Sequence, residues 1–154
     1  MSTAQDIVHN GSCLCGAISF KLEGKPLFSI YCHCTQCQRA DGAAFVSSMH
    51  FPNSAFTWTH SPTSKPDIED LGGMTLYRCP KCRSCAACQF GAPGSDANWT
   101  IRGSHLARDP ESGRILDWDT VKPTGHIFYG TRLVDVADDL PKWEGFSNRS
   151  ERLG

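Results

Sequence analysis

The sequence holds no uninterrupted apolar run near the roughly 20 residues that a bilayer-spanning helix needs. Its opening, MSTAQDIVHNGS, lacks the basic flank and apolar stretch of an export signal. The expectation is an intracellular, cytoplasmic chain with no membrane partner. Runs of Lys and Arg are missing too: 15 basic residues are dispersed among 16 acidic ones for a formal charge of −1. Such a balance gives no electrostatic reason to seek nucleic acid. A sustained 3.6-residue apolar period is also lacking, as is any internal repeat beyond recurring cysteine pairs. Long helices and solenoids are thereby excluded, and the chain reads as mostly β with little helix.

What is present suits a single domain spanning residues 1–154, since one hydrophobic core typically serves roughly 100–150 residues. Hydrophobic residues make up 40% of the chain, and 14 glycines bring the apolar share near that of ordinary globular proteins. Alternation marks strands at Ala17 to Leu22 and, after the Gly24-Lys25-Pro26 turn, at Leu27 to Tyr31. Thr35 to Ala40 suits a short helical turn. Ala44 to Phe51, Phe56 to His60, Met74 to Arg78, Asn98 to Arg102 and His126 to Val136 read as further strands. Residues 61–73, SPTSKPDIEDLGG, read as a surface loop, and the polar end 147–154 as a frayed tail.

Nine cysteines form an odd set, bunched at intervals of two and three residues. In a chain without an export signal that pattern fits metal ligation better than disulfides. On an extended backbone Cys13 and Cys15 share a face and lie about 6–7 Å apart, so one ion can reach both sulfurs. Cys32 and Cys34 obey the same rule, with Cys37 returning from the following turn and His33 pointing away. Cys79 and Cys82 make a Cys-x-x-Cys knuckle in which Pro80 favours the turn. Counting ligands then divides them. Cys13, Cys15, Cys79 and Cys82 complete a closed four-thiolate zinc shell, whereas Cys32, Cys34 and Cys37 leave a position open for chemistry. A rival partition through Cys79, Cys82, Cys85 and Cys88 partly imitates an iron–sulfur run, but it strands Cys13 and Cys15. Otherwise Cys85 and Cys88 read as small buried residues in or beside the strand after the knuckle.

The order of motifs, CxCG before a strand, CHCxxCQ after the next, CPxC in mid-chain and then HIFYGTR…D…LPKW, resembles the glutathione-dependent formaldehyde-activating family, which also includes centromere protein V. The resemblance runs from about Gly11 to Phe146. It implies a zinc-containing fold of small coiled antiparallel β-sheets. It also implies a structural zinc on Cys13, Cys15, Cys79 and Cys82 and a catalytic zinc on Cys32, Cys34 and Cys37. Arg83 departs from the family, which usually has glycine after the knuckle's second cysteine, so strain or an altered turn is expected there.

The implied activity is zinc-dependent carbon–sulfur lyase chemistry, making or breaking the C–S bond of a small-molecule thiol adduct, with glutathione one candidate thiol. Three thiolates soften the ion's Lewis acidity and favour sulfur exchange over activation of water. The alternative is a non-catalytic, zinc-ordered module that binds a protein partner. A fourth protein ligand would favour that module, and a pocket at the open position would favour the enzyme. Gln38 and Arg39 are candidates to orient a carboxylate-bearing substrate, and His50 and His126 to shuttle protons. Each has a plainer reading as a solvated or hydrogen-bonded residue. Trp99, Trp118 and Trp143 read as core or rim aromatics.

Overall fold

The structure, a computed structural model, describes residues 7–154. Among the described residues ten strands and two short helices follow one another: β1 (Val8–Ser12), β2 (Ser19–Glu23), β3 (Phe28–Cys32), α1 (Thr35–Asp41), β4 (Val46–Phe51), β5 (Phe56–Trp58), β6 (Asp67–Asp70), β7 (Thr75–Arg78), β8 (Cys85–Gln89), β9 (Trp99–Arg102), α2 (Trp118–Val121) and β10 (His126–Ile127). They form a three-stranded sheet ordered β1-β2-β5 and a seven-stranded sheet ordered β10-β3-β4-β9-β8-β7-β6. The chain is thus mostly β, as expected. All named strand pairs are antiparallel except β10 with β3, where His126 and Ile127 lie beside Tyr31 and Cys32.

Period-2 alternation explains how the smaller sheet meets the core. In β2, Phe20 and Leu22 are buried while Ser19 and Lys21 are only half-buried, so one face packs inward. They join Met49 and Phe51 of β4, Tyr77 of β7, and Trp99 and Ile101 of β9 in the main cluster. Trp99 belongs to this core and donates Nε1–H to Asn53 Oδ1 at 2.8 Å; Trp118 packs at its margin. Trp143 is a half-buried rim residue near the Arg152 guanidinium.

Several local expectations change. The loop 61–73 contains the edge strand β6, whose four residues DIED are all exposed; charge on an edge strand discourages pairing with other chains. The run His126 to Val136 is strand only at its first two residues, because Phe128 turns left-handed at φ 53° and a 3₁₀ turn, Tyr129–Thr131, follows. The frayed tail is overturned as well. Trp143 bridges Arg152, Leu153 N–H donates to Lys142 O at 2.7 Å, and Asn148 (φ 60°) supplies the left-handed residue that reverses the chain. Strand β1 is an addition to the expected strands. Gly11 is required there: a Cβ would collide with the Phe20 ring.

Candidate metal centres

The first centre joins two connections. Cys13 and Cys15 do not lie on a strand as supposed but in the tight link between β1 and β2, where Cys13 N–H bonds Ile18 O and Gly16 N–H bonds Cys13 O. Gly16 has φ 82°, a conformation glycine takes without a Cβ penalty. Cys79 and Cys82 sit in the β7–β8 turn, closed by Arg83 N–H to Cys79 O at 2.9 Å and Cys79 N–H to Ser84 O at 3.0 Å. The turn makes Arg83 left-handed at φ 67°, which is the strain its departure from glycine implied. Its side chain is tied to Asp67 at 2.7 Å. Leu14 N–H donates to Ser84 Oγ at 3.1 Å and clamps the two connections together.

The four sulfurs of Cys13, Cys15, Cys79 and Cys82 lie within 4.8 Å of one another. Cys13 to Cys15 is 3.7 Å and Cys15 to Cys79 is 3.6 Å. A tetrahedron with metal–sulfur bonds near 2.3 Å has edges of about 3.8 Å, so the geometry fits a four-thiolate metal shell. Backbone N–H groups of Ile18 and Lys81 point at Cys13 and Cys79 sulfur, both at 3.4 Å, as donors to thiolates. Hydrogen bonding from Ser84 draws the Cys82 thiol down to about 5, whereas burial pushes Cys13 up to about 11. Cys85 and Cys88 remain outside this group. They stand in β8, where Cys85 bonds Ala87 O and Cys88 is buried, with burial pushing its thiol up to about 12. The iron–sulfur partition is therefore not built.

The second centre is local. Cys32 ends β3; Cys34 caps α1, its sulfur accepting the Cys37 N–H at 3.2 Å in the manner of an N-cap side chain; Cys37 is the buried residue of α1. Their sulfurs also lie within 4.8 Å of one another, and among the described residues no fourth His, Cys, Asp or Glu joins them. Gln38 secures the loop by donating to His33 O at 2.8 Å and Thr131 O at 2.9 Å, so its amide is committed to structure, and Arg39 is exposed.

Arg102, which sequence reasoning passed over as a strand end, reaches this cluster from β9. Its guanidinium pairs with Asp41 at 3.0 Å, donates to Ser48 Oγ at 3.2 Å and approaches Cys37 sulfur at 3.6 Å. The hydrogen bond with Cys32, reinforced by the Arg102 charge, lowers the Cys37 thiol to about 6, while Cys32 is pushed upward by the same bond and by burial. Nothing local in TIR marks Arg102, because its partners lie more than fifty residues away.

His33 and His126 form a buried chain behind the cluster. His33 Nε2 meets His126 Nδ1 at 2.8 Å, His126 Nε2 meets Asp138 Oδ2 at 2.8 Å, and Lys142 Nζ donates to Asp138 at 2.8 Å. Burial, with the adjacent His126 and Arg132, lowers His33 to about 4. His50 instead faces a cavity of about 420 Å³ that is lined by Cys32, Cys34, Cys37 and Arg102. Its Nδ1 pairs with Thr100 Oγ1 at 3.3 Å, and burial together with Arg102 lowers it to about 4, so it is a neutral imidazole at pH 7.

These features define a class: a β protein organised around two cysteine clusters, one closed and one opening on a cavity, both suited to thiophilic metal ions. The family model for glutathione-dependent formaldehyde-activating enzyme matches residues 8–131. The chain belongs to that family. No curated protein matches it. A solved structure of a Rhodobacter sphaeroides protein is similar at a TM-score of 0.47, with 18% identity over 69% of this chain and 96% of that one. Among the described residues no helix is long and apolar enough to cross a membrane.

Proposed function

We propose that the protein is a zinc-dependent carbon–sulfur lyase-like enzyme that makes or breaks the C–S bond of a small-molecule thiol adduct. The observation carrying this reading is the three-cysteine cluster that lacks a fourth protein ligand among the described residues and opens on the 420 Å³ cavity. That arrangement supports the enzyme over the protein-binding module, which would have closed its shell. Membership in the family adds the chemistry of glutathione and formaldehyde adducts.

In this reading Cys32, Cys34 and Cys37 hold the catalytic zinc, and Cys13, Cys15, Cys79 and Cys82 the structural one. A zinc ion at the open site would lower the pKa of a thiol and stabilise sulfur as nucleophile or leaving group. In the forward direction the thiol S–H breaks, sulfur joins the carbonyl carbon, and the carbonyl oxygen takes the proton. In reverse the C–S bond breaks and the hydroxyl proton returns to sulfur. The chain's own groups support this without a redox partner. Arg102 offsets part of the thiolate charge and holds Cys37 in place. The neutral His50 presents Nε2, which has no protein partner among the described residues, as a hydrogen-bond partner for the adduct oxygen. Thiolates persist as ligands only where thiols stay reduced, so a cytoplasmic setting belongs to the same proposal.

The test is incubation of the zinc-loaded protein with a panel of thiol adducts while free thiol and free carbonyl compound are followed. Acceleration that disappears in Cys34→Ala is expected. Absence of turnover with every adduct would overturn the assignment.

A further inference from the structure

Phenylalanine side chains left in water are costly, yet Phe28, Phe90 and Phe146 are 47%, 51% and 60% exposed. All three line the cavity beside Cys32, Cys34 and Cys37. Their arrangement is ordered. The Phe28 ring stacks on His50 with centroids 4.1 Å apart and planes 20° from parallel, and Phe90 continues the stack on His50 at 6.2 Å and 11°. Phe146 meets Phe128 edge to face at 4.9 Å, and Phe128 lines the cavity too. Parallel faces and an exposed ring edge are the surfaces on which a further aromatic ring settles.

Size and charge point the same way. A cavity of about 420 Å³ far exceeds the roughly 10–15 Å³ that a water molecule occupies by a comparable measure, and formaldehyde contributes only two heavy atoms to an adduct. Among the described residues Arg102 is the one Lys or Arg in the lining, and it is already engaged by Asp41 and Ser48. A peptide thiol bearing two carboxylates finds no uncommitted cation there. Arg149 belongs to the lining of a neighbouring 480 Å³ cavity instead.

We propose that this cavity receives the carbonyl-derived half of the thiol adduct, and that this half carries an aromatic or branched apolar group rather than the hydrogens of formaldehyde. The inference rests on the reading of the site as one for thiol adducts. It assigns Phe28, Phe90 and Phe146 to substrate selection and places the charged thiol carrier outside the apolar walls.

Binding separates this inference from the reaction itself. The metal-loaded protein is titrated by calorimetry with two unreactive thioethers of one thiol, S-benzyl- and S-methyl-2-mercaptoethanol. The benzyl compound should bind at least about tenfold tighter, since a single methylene in an apolar pocket already discriminates by roughly 10–200-fold. The preference should shrink severalfold in Phe90→Ala and in Phe146→Ala, whose half-exposed rings can be removed without loss of the core. Equal binding of the two thioethers, or a preference unchanged in both variants, would overturn the proposal. A benzyl preference that survives while no adduct is turned over supports the pocket and rejects the reaction class. Turnover of the formaldehyde adduct without a benzyl preference does the reverse.

Discussion

Replacing Arg102 by methionine removes a guanidinium whose side chain is only 14% exposed and leaves Asp41, 22% exposed, without its partner. Breaking a fully buried ion pair costs about 3–5 kcal/mol, chiefly because the surviving charge stays desolvated. The partial exposure here reduces that to about 2–4 kcal/mol, including the lost bonds to Ser48 and Cys37. In a chain of this size each kcal/mol shifts the melting temperature by about 2–4 °C, so a fall of roughly 4–16 °C is expected at fixed metal loading. The informative comparison is Arg102→Met combined with Asp41→Asn. If the unpaired carboxylate dominates the cost, neutralising it restores at least about half of the loss. Denaturant midpoints measured with an unchanged m-value provide the assay. A single-variant loss below about 1 kcal/mol, the range of exposed ion pairs, would rule out a desolvated pair. So would a double variant less stable than Arg102→Met alone.

Other outcomes follow from the same structure. Arg83→Gly relieves a left-handed residue costing roughly 1–2 kcal/mol but adds chain entropy of roughly 0.5–1 kcal/mol. Thermal unfolding should therefore show up to about 1.5 kcal/mol of stabilisation, and β-branched Arg83→Val should destabilise; the reverse order would contradict the strained knuckle. Gly11→Ala drives a methyl into the fully buried Phe20 ring and should cost about 1–3 kcal/mol in chemical denaturation, with no loss pointing to a looser core. The folded state holds His50 near 4 against an ordinary 6.5, so the unfolded chain binds its proton first and stability falls as pH drops from about 6.5 to 4. Unfolding titrations of His50→Phe should show up to roughly 3 kcal/mol less of this loss than the parent, and an identical pH slope would exclude His50 as a source.

Legibility in the sequence followed the distance between interacting residues. Cys32, Cys34 and Cys37 lie within one strand end and one helical turn, so spacing alone places their sulfurs together. The pairing of Cys13 and Cys15 with Cys79 and Cys82 was legible through ligand number, although the cysteines occupy a tight connection rather than a strand face. Arg83 was legible through the family resemblance, which usually has glycine at that position, and the structure gives it the positive φ that glycine tolerates. Arg102 was not, since its importance comes from Asp41, Ser48 and Cys37, which three other parts of the chain deliver. The cavity walls were hidden for a different reason: Phe28 lies in a strand pattern and reads as core, Phe90 and Phe146 lie outside the strands, and only the fold shows all three exposed around the cluster. The tail was misread because polar residues say nothing of backbone bonds, and Glu151, Leu153 and Gly154 are held by their N–H and C=O groups.

The proposed function requires that two separate cysteine clusters each hold a metal ion and that the open one carries the chemistry. Elemental analysis of the purified protein and its Cys34→Ala variant, side by side, counts those ions. Two zinc ions per chain are expected in the parent and one in the variant, which keeps its fold but loses C–S bond turnover. A single ion in the parent, or zinc content and activity unchanged in Cys34→Ala, would contradict it.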